Sequence, residues 1–217
     1  MGEHIWIYML YFVHLLLSLS FHESAHGWMA WRLGDPTARY QGRITLNPLP
    51  HIDPIGTILL PLISMIGQLG VVFGWAKPTP VNPRFFQHPR RDHMLTALAG
   101  PVSNLLLAAG FAVLFHITRA LFAHPGAHLI VWLILVVLQT GVILNVVLAV
   151  FNLLPVYPLD GSWVAEGLMP YAWLPTWYQI KPYMPFILLM LFIVPGFFSL
   201  LLMPPIRLIL WLLGIPF

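Results

Sequence analysis

The chain has 217 residues, of which 59% are hydrophobic and 8% are charged, and its formal net charge is +3. Apolar runs long enough to cross a bilayer, which takes about 20 mostly apolar residues, recur along the sequence. This composition predicts one integral membrane domain over residues 1–217, without a sizeable soluble appendage, and with the lipid bilayer rather than a nucleic acid as its partner. The absence of cysteine excludes disulfides and thiolate metal sites, so His, Asp and Glu remain as protein ligands for a metal.

The first predicted helix spans residues 5–33 and ends at Gly34, a residue typical of helix ends. Near its end it contains His22, Glu23 and His26. On a helix, two histidines four residues apart project from nearly the same face, so both imidazoles can reach one tetrahedral zinc. Glu23 lies beside them and can take a proton from a metal-bound water. The alternative is a chance match, but polar groups in so apolar a segment are costly and usually functional.

The placement of the basic residues predicts the orientation of the chain. Seven of the ten Lys and Arg residues lie between Arg32 and Arg91, and the positive-inside rule makes that stretch cytoplasmic. Along a helix, His22 is about 15 Å from Arg32. The metal site is therefore expected inside the membrane, nearer its cytoplasmic face.

An apolar run over residues 55–73 lies within this basic stretch. Because basic residues flank it on both sides, it must cross the membrane an even number of times, and a re-entrant or membrane-edge segment is the simplest arrangement. Pro61, Gly67 and Gly70 are expected to interrupt a continuous helix. The preceding residues 40–47 alternate in polarity, which predicts a short strand.

Two further spans are predicted at residues 92–118 and 129–151. The first contains Gly100, Ser103 and Asn104, where small residues allow another helix to approach and polar side chains can hydrogen-bond across the interface. The segment from Gly100 to Asn104 is equally compatible with a face that only packs against another helix.

Residues 152–161 follow the third predicted span and contain Pro155 and Pro158. Prolines cannot continue a helix, and they predict extended backbone at membrane depth, which is tolerated only where it is buried or lines a wet cavity. Asp160 at the end of this stretch could be an ordinary N-cap for a helix over residues 161–169.

Asp160 is also the best-placed candidate for a third metal ligand. A two-histidine catalytic site needs a third protein ligand and a position left open for water. Asp53, Asp92 and Glu166 are expected in or near cytoplasmic loops and lack a comparable setting. Glu166 is interpreted as a solvated helix residue.

Residues 162–217 are less informative. Aromatic residues suit an interfacial belt (Tyr171, Trp173, Trp177 and Tyr178). Pro195 breaks the next apolar run, and Pro204 and Pro205 are expected to separate a short last segment. These residues could form two spans, or one span with an interfacial tail. The fold expected for the chain is a helical bundle of about four to six transmembrane segments. The other histidines are interpreted as interfacial or packing residues, with His51 the candidate exception: His14, His51, His88, His93, His116, His124 and His128.

Three motifs in this order resemble the site-2 protease family of intramembrane zinc metalloproteases. They are the His-Glu-x-x-His motif at residues 22–26, the Gly-x-x-x-Asn step at residues 100–104, and the Leu-Asp-Gly ending of residues 152–161. The resemblance covers residues 5–161 as the core and leaves 162–217 as C-terminal segments. It implies one zinc per chain held by His22, His26 and Asp160, Glu23 as general base and acid, and Asn152 as a group that holds the substrate backbone or the tetrahedral intermediate.

The resemblance also implies a substrate and a location. The substrate would be a transmembrane helix of another protein, locally unwound and paired with an exposed edge at residues 41–47 or 152–158. Residues 46–48 and 74–78 are similar to those of a compact bacterial branch, which implies the bacterial inner membrane, with the active site toward the cytoplasm. Unlike other members, the chain is expected to have no span before the zinc helix and no PDZ or CBS domain.

Two other classes of function fit parts of the sequence. A zinc transporter could use intramembrane His and Asp residues as an ion path, but it would not need Glu23 within the His-Glu-x-x-His motif. A non-catalytic scaffold that binds membrane helices would not need a complete ligand set with its base. The sequence leaves the oligomeric state open.

Overall fold

The computed structural model describes residues 5–67, 74–122, 128–193 and 196–216. The α-helices in these ranges are α1 (Ile5–Arg32), α2 (Thr37–Tyr40), α3 (Leu60–Ile66), α4 (Pro89–Phe122), α5 (Leu129–Asn152), α6 (Asp160–Leu168), α7 (Leu174–Ile180), α8 (Met184–Ile193) and α9 (Phe197–Leu212). A π-helical turn (Pro54–Leu59) precedes α3, and 3₁₀ turns lie at Leu49–His51, Pro83–Phe85, Tyr171–Trp173 and Lys181–Tyr183. The prediction of an all-helical protein is confirmed for the described residues.

Three long helices, α1, α4 and α5, organise the fold. Each begins and ends within four residues of its predicted bounds, and α1 ends before Gly34, whose φ of 108° is the left-handed conformation that favours glycine. Helices α4 and α5 are both long and apolar enough to cross a membrane. At 1.5 Å per residue, α4 is about 51 Å long, which exceeds the thickness of a bilayer.

The core lies where α4, α5 and α9 meet. Ala108 and Ala112 of α4 are fully or nearly fully buried against Val142 and Val146 of α5, because small side chains let the two helices approach closely. Helix α9 covers the other side of α5 with buried Leu202, Ile206 and Leu210. The remaining faces of α4 and α5 are also apolar but exposed, as suits contact with lipid: Leu106, Val113, Leu114, Ile130, Leu133 and Val137.

The strand predicted at residues 40–47 is absent, and none of the described residues is in a strand. Tyr40 ends α2, and the following segment lies against α1 instead of a partner strand. The Oγ of Ser24 donates a hydrogen bond to the carbonyl of Thr45, and the Thr45 N–H lies 3.2 Å from the same Oγ. The Ser24 side chain thus hydrogen-bonds backbone groups that the alternating pattern predicted would pair with another strand.

The described residues on either side of the gap at 68–73 come together near the start of the predicted run over residues 55–73. The helical stretch from Pro54 to Ile66 ends before Gly67, as predicted, but it continues through Pro61, at the change from π-helical to α-helical bonding. The chain then returns to where the run began, because the N–H of Trp75 donates to the carbonyl of Gly56 at 3.1 Å. Whether the run is re-entrant, as the sequence predicts, stays a prediction, because residues 68–73 lie outside the described residues.

Two predictions on extended backbone and proline breaks need correction. Residues 153–159 form consecutive turns rather than extended backbone, with the N–H of Leu159 donating to the carbonyl of Val156. Helix α9 is continuous through Pro204 and Pro205, which membrane helices tolerate when neighbouring groups replace the lost hydrogen bonds. Predicted features that lie outside the described residues are Gly70, the turn at 124–126, Pro195 and the terminal Phe217.

Candidate metal centre

Helix α1 places the His22, Glu23 and His26 side chains in one buried cluster. Only 4% of His22 and 8% of His26 is exposed, and the ring centroids lie 4.6 Å apart with nearly perpendicular planes. One potential ligand atom from each of the three residues lies within 4.8 Å of the others. This is the arrangement that the four-residue spacing predicts.

Asp160, 134 residues beyond His26 in the chain, completes the cluster. It is the first residue of α6, and its Oδ2 lies 3.0 Å from Nε2 of His22 and 3.4 Å from Nε2 of His26. The alternative of an N-cap does not hold, because Leu159 occupies the cap position and no side chain caps this helix. The Asp160 Oδ2 is buried, close to both imidazoles but not oriented to hydrogen-bond with any described group. A carboxylate oxygen in that position needs a further partner.

The second nitrogen of each histidine already has an acceptor. Nδ1 of His22 donates to Oδ1 of Asn104 at 2.6 Å, and Nδ1 of His26 donates to the carbonyl of Thr96 at 2.7 Å. Because both acceptors are oxygens, each Nδ1 carries a proton, and in the neutral ring each Nε2 then offers a lone pair. Metal-ligating histidines are oriented in this way by their outer hydrogen bonds.

Asn104 is itself fixed by a fully buried network. Its Nδ2 donates to the carbonyl of Ser18 at 3.3 Å and to Oδ1 of Asn145 at 2.9 Å, which requires that Oδ1 face His22. Asn145 in turn donates to the carbonyl of Gly141. The sequence indicated that Asn104 could bond across a helix interface but did not identify Asn145 or Thr96.

Gly100 provides the space for the two rings. A Cβ at this position would lie 2.5 Å from Cε1 and Nε2 of His26 and 2.7 Å from Cε1 of His22. No real side chain fits at such distances. The Gly100–Asn104 step is therefore part of the site and not only a packing face.

The carboxylate of Glu23 is held by the segment of residues 74–82, which contains neither helix nor turn. The backbone N–H of Thr79 donates to Oε2 of Glu23 at 2.7 Å, and the Thr79 hydroxyl donates to the Glu23 carbonyl at 2.9 Å. That segment is anchored in turn, since the Lys77 N–H donates to the His51 carbonyl and the Arg43 guanidinium donates to the Lys77 and Pro78 carbonyls. No sequence signal identified Thr79.

Helix α6 is fixed to α4, which keeps Asp160 in place. The Arg90 side chain donates from Nε to the Glu166 carbonyl at 2.7 Å and from Nη2 to the Met169 carbonyl. Gly167 allows the helices to touch, because a Cβ there would lie 2.5 Å from Cβ of Met94. The end of α6 opposite Asp160 is thus tied to the first turn of α4.

The four residues of the cluster line a cavity of about 780 Å³. Residues 75–83 form one wall, and Pro158, Leu159 and Trp163 contribute to another. Asn152, at the end of α5, also lines this cavity, and one of its two amide hydrogens is used to bond the Leu148 carbonyl at 3.0 Å.

The three acidic residues set aside as metal ligands, Asp53, Asp92 and Glu166, do not line this cavity. Glu166 is not a solvated helix residue as predicted, because its carboxylate accepts hydrogen bonds from Lys181 Nζ at 2.6 Å, Tyr178 Oη at 3.0 Å and Trp177 Nε1 at 3.2 Å. Asp53 caps the π-helical turn, and Asp92 accepts from the N–H of His88.

Of the remaining histidines, His93 packs against Trp163, as expected of a packing residue, and it also lines the cavity. His14 and His51 each bond a backbone carbonyl at 2.9 Å, and His116 does so at 2.8 Å. His88 and His128 are exposed, and His124 lies outside the described residues.

The donor set fits zinc. Two imidazole nitrogens with preset tautomers and one carboxylate oxygen, with a position left for water, are the ligands of a catalytic zinc site. The unsatisfied Oδ2 of Asp160 and the space kept by Gly100 both agree with a metal between the three side chains. A glutamate beside such a set is typical of metal-dependent hydrolases.

Comparison with known proteins agrees with this class. The chain is 41% identical over 191 residues to the Bacillus subtilis (strain 168) protein named putative zinc metalloprotease YwhC, which covers 84% of this chain and 80% of that protein. It is 34% identical over 165 residues to the Mycolicibacterium smegmatis protein named putative zinc metalloprotease Rip2, covering 76% and 59%. The match to Rip2 of Mycobacterium tuberculosis (strain H37Rv) is 34% over 147 residues, covering 67% and 52%.

These relatives show the family. The chain belongs to the site-2 protease family, and with its two long apolar helices it is a membrane protein. The match spans between half and three fifths of the length of the Rip2 proteins. No family model matches the chain, and no solved structure matches it significantly.

Proposed function

We propose that this protein is an intramembrane zinc metalloprotease that hydrolyses a peptide bond within or near the transmembrane helix of a membrane protein. The observation that carries the proposal is the convergence of Asp160 Oδ2 with Nε2 of His22 and His26, beside Glu23, in a cavity bounded by long apolar helices. The names of YwhC and Rip2 support a zinc metalloprotease.

His22, His26 and Asp160 would hold one zinc ion per chain. When bound, zinc supplies an acidified water and polarises the scissile carbonyl. The Asn104 and Thr96 acceptors hold the proton of each neutral imidazole on Nδ1, so that each Nε2 faces the Asp160 carboxylate. The protein therefore needs little rearrangement to accept the ion.

Glu23 would act as the general base and then the general acid. The Thr79 N–H occupies Oε2 of Glu23, which leaves Oε1 to take a proton from the attacking water and to deliver it to the leaving amine. Asn152 would donate its free amide hydrogen to the substrate backbone or to the developing oxyanion, since it lines the same cavity.

The substrate would lie along residues 74–82 rather than along the edges predicted at 41–47 and 152–158. Those two segments form turns or bond to α1, whereas residues 74–82 contain neither helix nor turn, and several of them line the cavity. A transmembrane helix that unwinds locally exposes backbone groups, and an extended neighbour can pair with them. The position of the cavity among long apolar helices supports a transmembrane helix as the substrate.

The topology that we propose has α1, α4 and α5 as spans, with a re-entrant segment within residues 55–73 that enters from the cytoplasmic side. Helices α8 and α9 add one or two spans, for a total of four or five in one protease domain. The seven basic residues between Arg32 and Arg91 favour a cytoplasmic location for this face. In a bacterial inner membrane, the cut would fall in the cytoplasmic half of the substrate helix.

Replacing Glu23 with glutamine tests the proposal. The E23Q variant should retain zinc, because Glu23 is not among the three ligands, and should lose cleavage of a model single-span substrate by at least about 100-fold. H22A should lose both zinc and cleavage, since two ligands hold zinc poorly. D53N is the matched control: it makes the same carboxylate-to-amide change outside the cavity, where asparagine caps a helix as well as aspartate does.

Proteolysis that persists in E23Q is incompatible with the assigned role. If the wild type does not cleave the substrate but carries zinc across proteoliposome membranes, the zinc transporter replaces the protease. Binding of the substrate helix without either activity in the zinc-loaded wild type indicates the scaffold.

A further inference from the structure

His93 lies in the cavity but has no part in the proposed chemistry. It is on α4, three residues before Thr96 and seven before Gly100, so all three face the same side of the helix. Along the helix axis His93 is about 10 Å from Gly100, toward Pro89. It therefore lines the cavity beside the metal cluster and not within it.

The His93 ring is held in place by aromatic contacts. It stacks on Trp163 with the centroids 4.1 Å apart and the planes 27° apart, and Phe86 lies 6.4 Å away. The Lys181 ammonium lies 3.3 Å from the Trp163 centroid, and an ammonium and a stacked ring at these distances must occupy opposite faces of the indole. Glu166 holds Lys181 in turn at 2.6 Å.

These contacts leave both ring nitrogens of His93 available. The four buried histidines in the described chain each have a ring nitrogen within 2.6–2.9 Å of an oxygen acceptor. His93, which is half-buried, makes no hydrogen bond with any described residue. Neither nitrogen is among the buried unpaired atoms of the described chain, so both are accessible. A fixed imidazole with accessible nitrogens, in a cavity that would accept a peptide, is placed to bind that peptide.

We propose that His93 is a substrate-binding residue whose imidazole hydrogen-bonds the unwound substrate backbone two or three residues from the scissile bond. The inference rests on the proposed protease function and names a subsite for it. An extended chain advances about 3.3 Å per residue, so the 10 Å between Gly100 and His93 corresponds to about three residues. The Trp163 and Phe86 rings beside His93 make this subsite favourable for an apolar side chain.

The test compares H93A and H93Q with H88A. His88 is exposed and does not line the cavity, so H88A controls for loss of an imidazole near the start of α4. Because one substrate hydrogen bond is lost, H93A should lower kcat/KM for a single-span substrate about three- to tenfold, mainly through KM. H93Q should recover most of this loss, because glutamine can still donate and accept a hydrogen bond. Zinc content and melting temperature should match the wild type in all three variants.

Two further measurements separate substrate binding from other roles. A substrate cut back to one residue beyond the scissile bond on the side of this subsite should be cleaved equally by the wild type and H93A. Binding of a fluorescent single-span peptide should be weaker in E23Q/H93A than in E23Q, by the same three- to tenfold, without any turnover.

The proposal is overturned if H93A cleaves and binds like the wild type. A decrease confined to kcat in H93A and restored by added imidazole indicates proton transfer. A loss of zinc or a lower melting temperature in H93A indicates a structural role. Either result also overturns the proposal. If the wild type cleaves no substrate while E23Q/H93A still binds the peptide more weakly than E23Q, the protease function fails and the His93 contact stands.

Discussion

Substitution of Gly100 by alanine should disrupt the metal centre by moving its histidines. The added Cβ would lie 2.5 Å from Nε2 of His26 and 2.7 Å from Cε1 of His22, whereas ordinary contacts begin at 3.4 Å. The His26 ring must therefore move by about 0.9 Å, or α1 and α4 must separate by a similar amount. The His26 Nδ1 hydrogen bond to Thr96 opposes the ring movement.

The size of this shift sets the expected effect. Zinc–nitrogen distances in proteins vary by only about 0.2 Å around 2.0–2.1 Å, so a displacement of about 0.9 Å removes His26 as an effective ligand. A misplacement of about 1 Å at a reacting centre can cost about 100-fold in rate. Overpacking should also lower the free energy of unfolding by about 1–3 kcal/mol. The higher helix propensity of alanine offsets at most about 1 kcal/mol of this loss.

The measurements are zinc per chain by elemental analysis and the cleavage rate of a single-span substrate. The control is G110A on the same helix, because a Cβ at Gly110 would meet no atom within 4 Å. G110A should keep full zinc and activity. Wild-type zinc and cleavage in G100A would refute the proposed position of the rings, and equal losses in both variants would show that the effect is not specific to the site.

Two further predictions concern the outer hydrogen bonds of the site and the topology. Asn104→Leu removes the acceptor of His22 Nδ1 and should weaken zinc binding about 10- to 100-fold in a chelator competition assay. Asn104→Asp should bind zinc more like the wild type, because it keeps an acceptor oxygen. Unchanged zinc affinity in Asn104→Leu would contradict the assigned tautomer. Because the chain lacks cysteine, a cysteine at Gln87, before α4, should be labelled only from the cytoplasmic side, and one at Leu129, at the start of α5, only from the outside. Labelling of both from one side would mean that α4 does not cross the membrane.

The sequence by itself determined the features that depend on neighbouring residues. Helices α1, α4 and α5 follow from apolar runs longer than a bilayer requires, and these runs fix the helices nearly independently of their packing. The pairing of His22 with His26 is equally local, because helix geometry alone brings residues four apart to one face. Asp160 could be selected as the third ligand because a two-histidine site needs one and the sequence offered few acidic residues.

Only the tertiary structure decided the partners of these side chains. The bonds from His22 to Asn104, from His26 to Thr96 and from Thr79 to Glu23 join residues 82, 70 and 56 positions apart. The polarity pattern of residues 40–47 predicted a strand, because it shows which side chains alternate but not that a hydroxyl on α1 would pair with the backbone. The prediction for Glu166 was wrong, and the place of His93 in the cavity was not foreseen, for the same reason. The surroundings of both residues come from α4, α6 and the segment after α6, and local sequence carries no information on how these pack together.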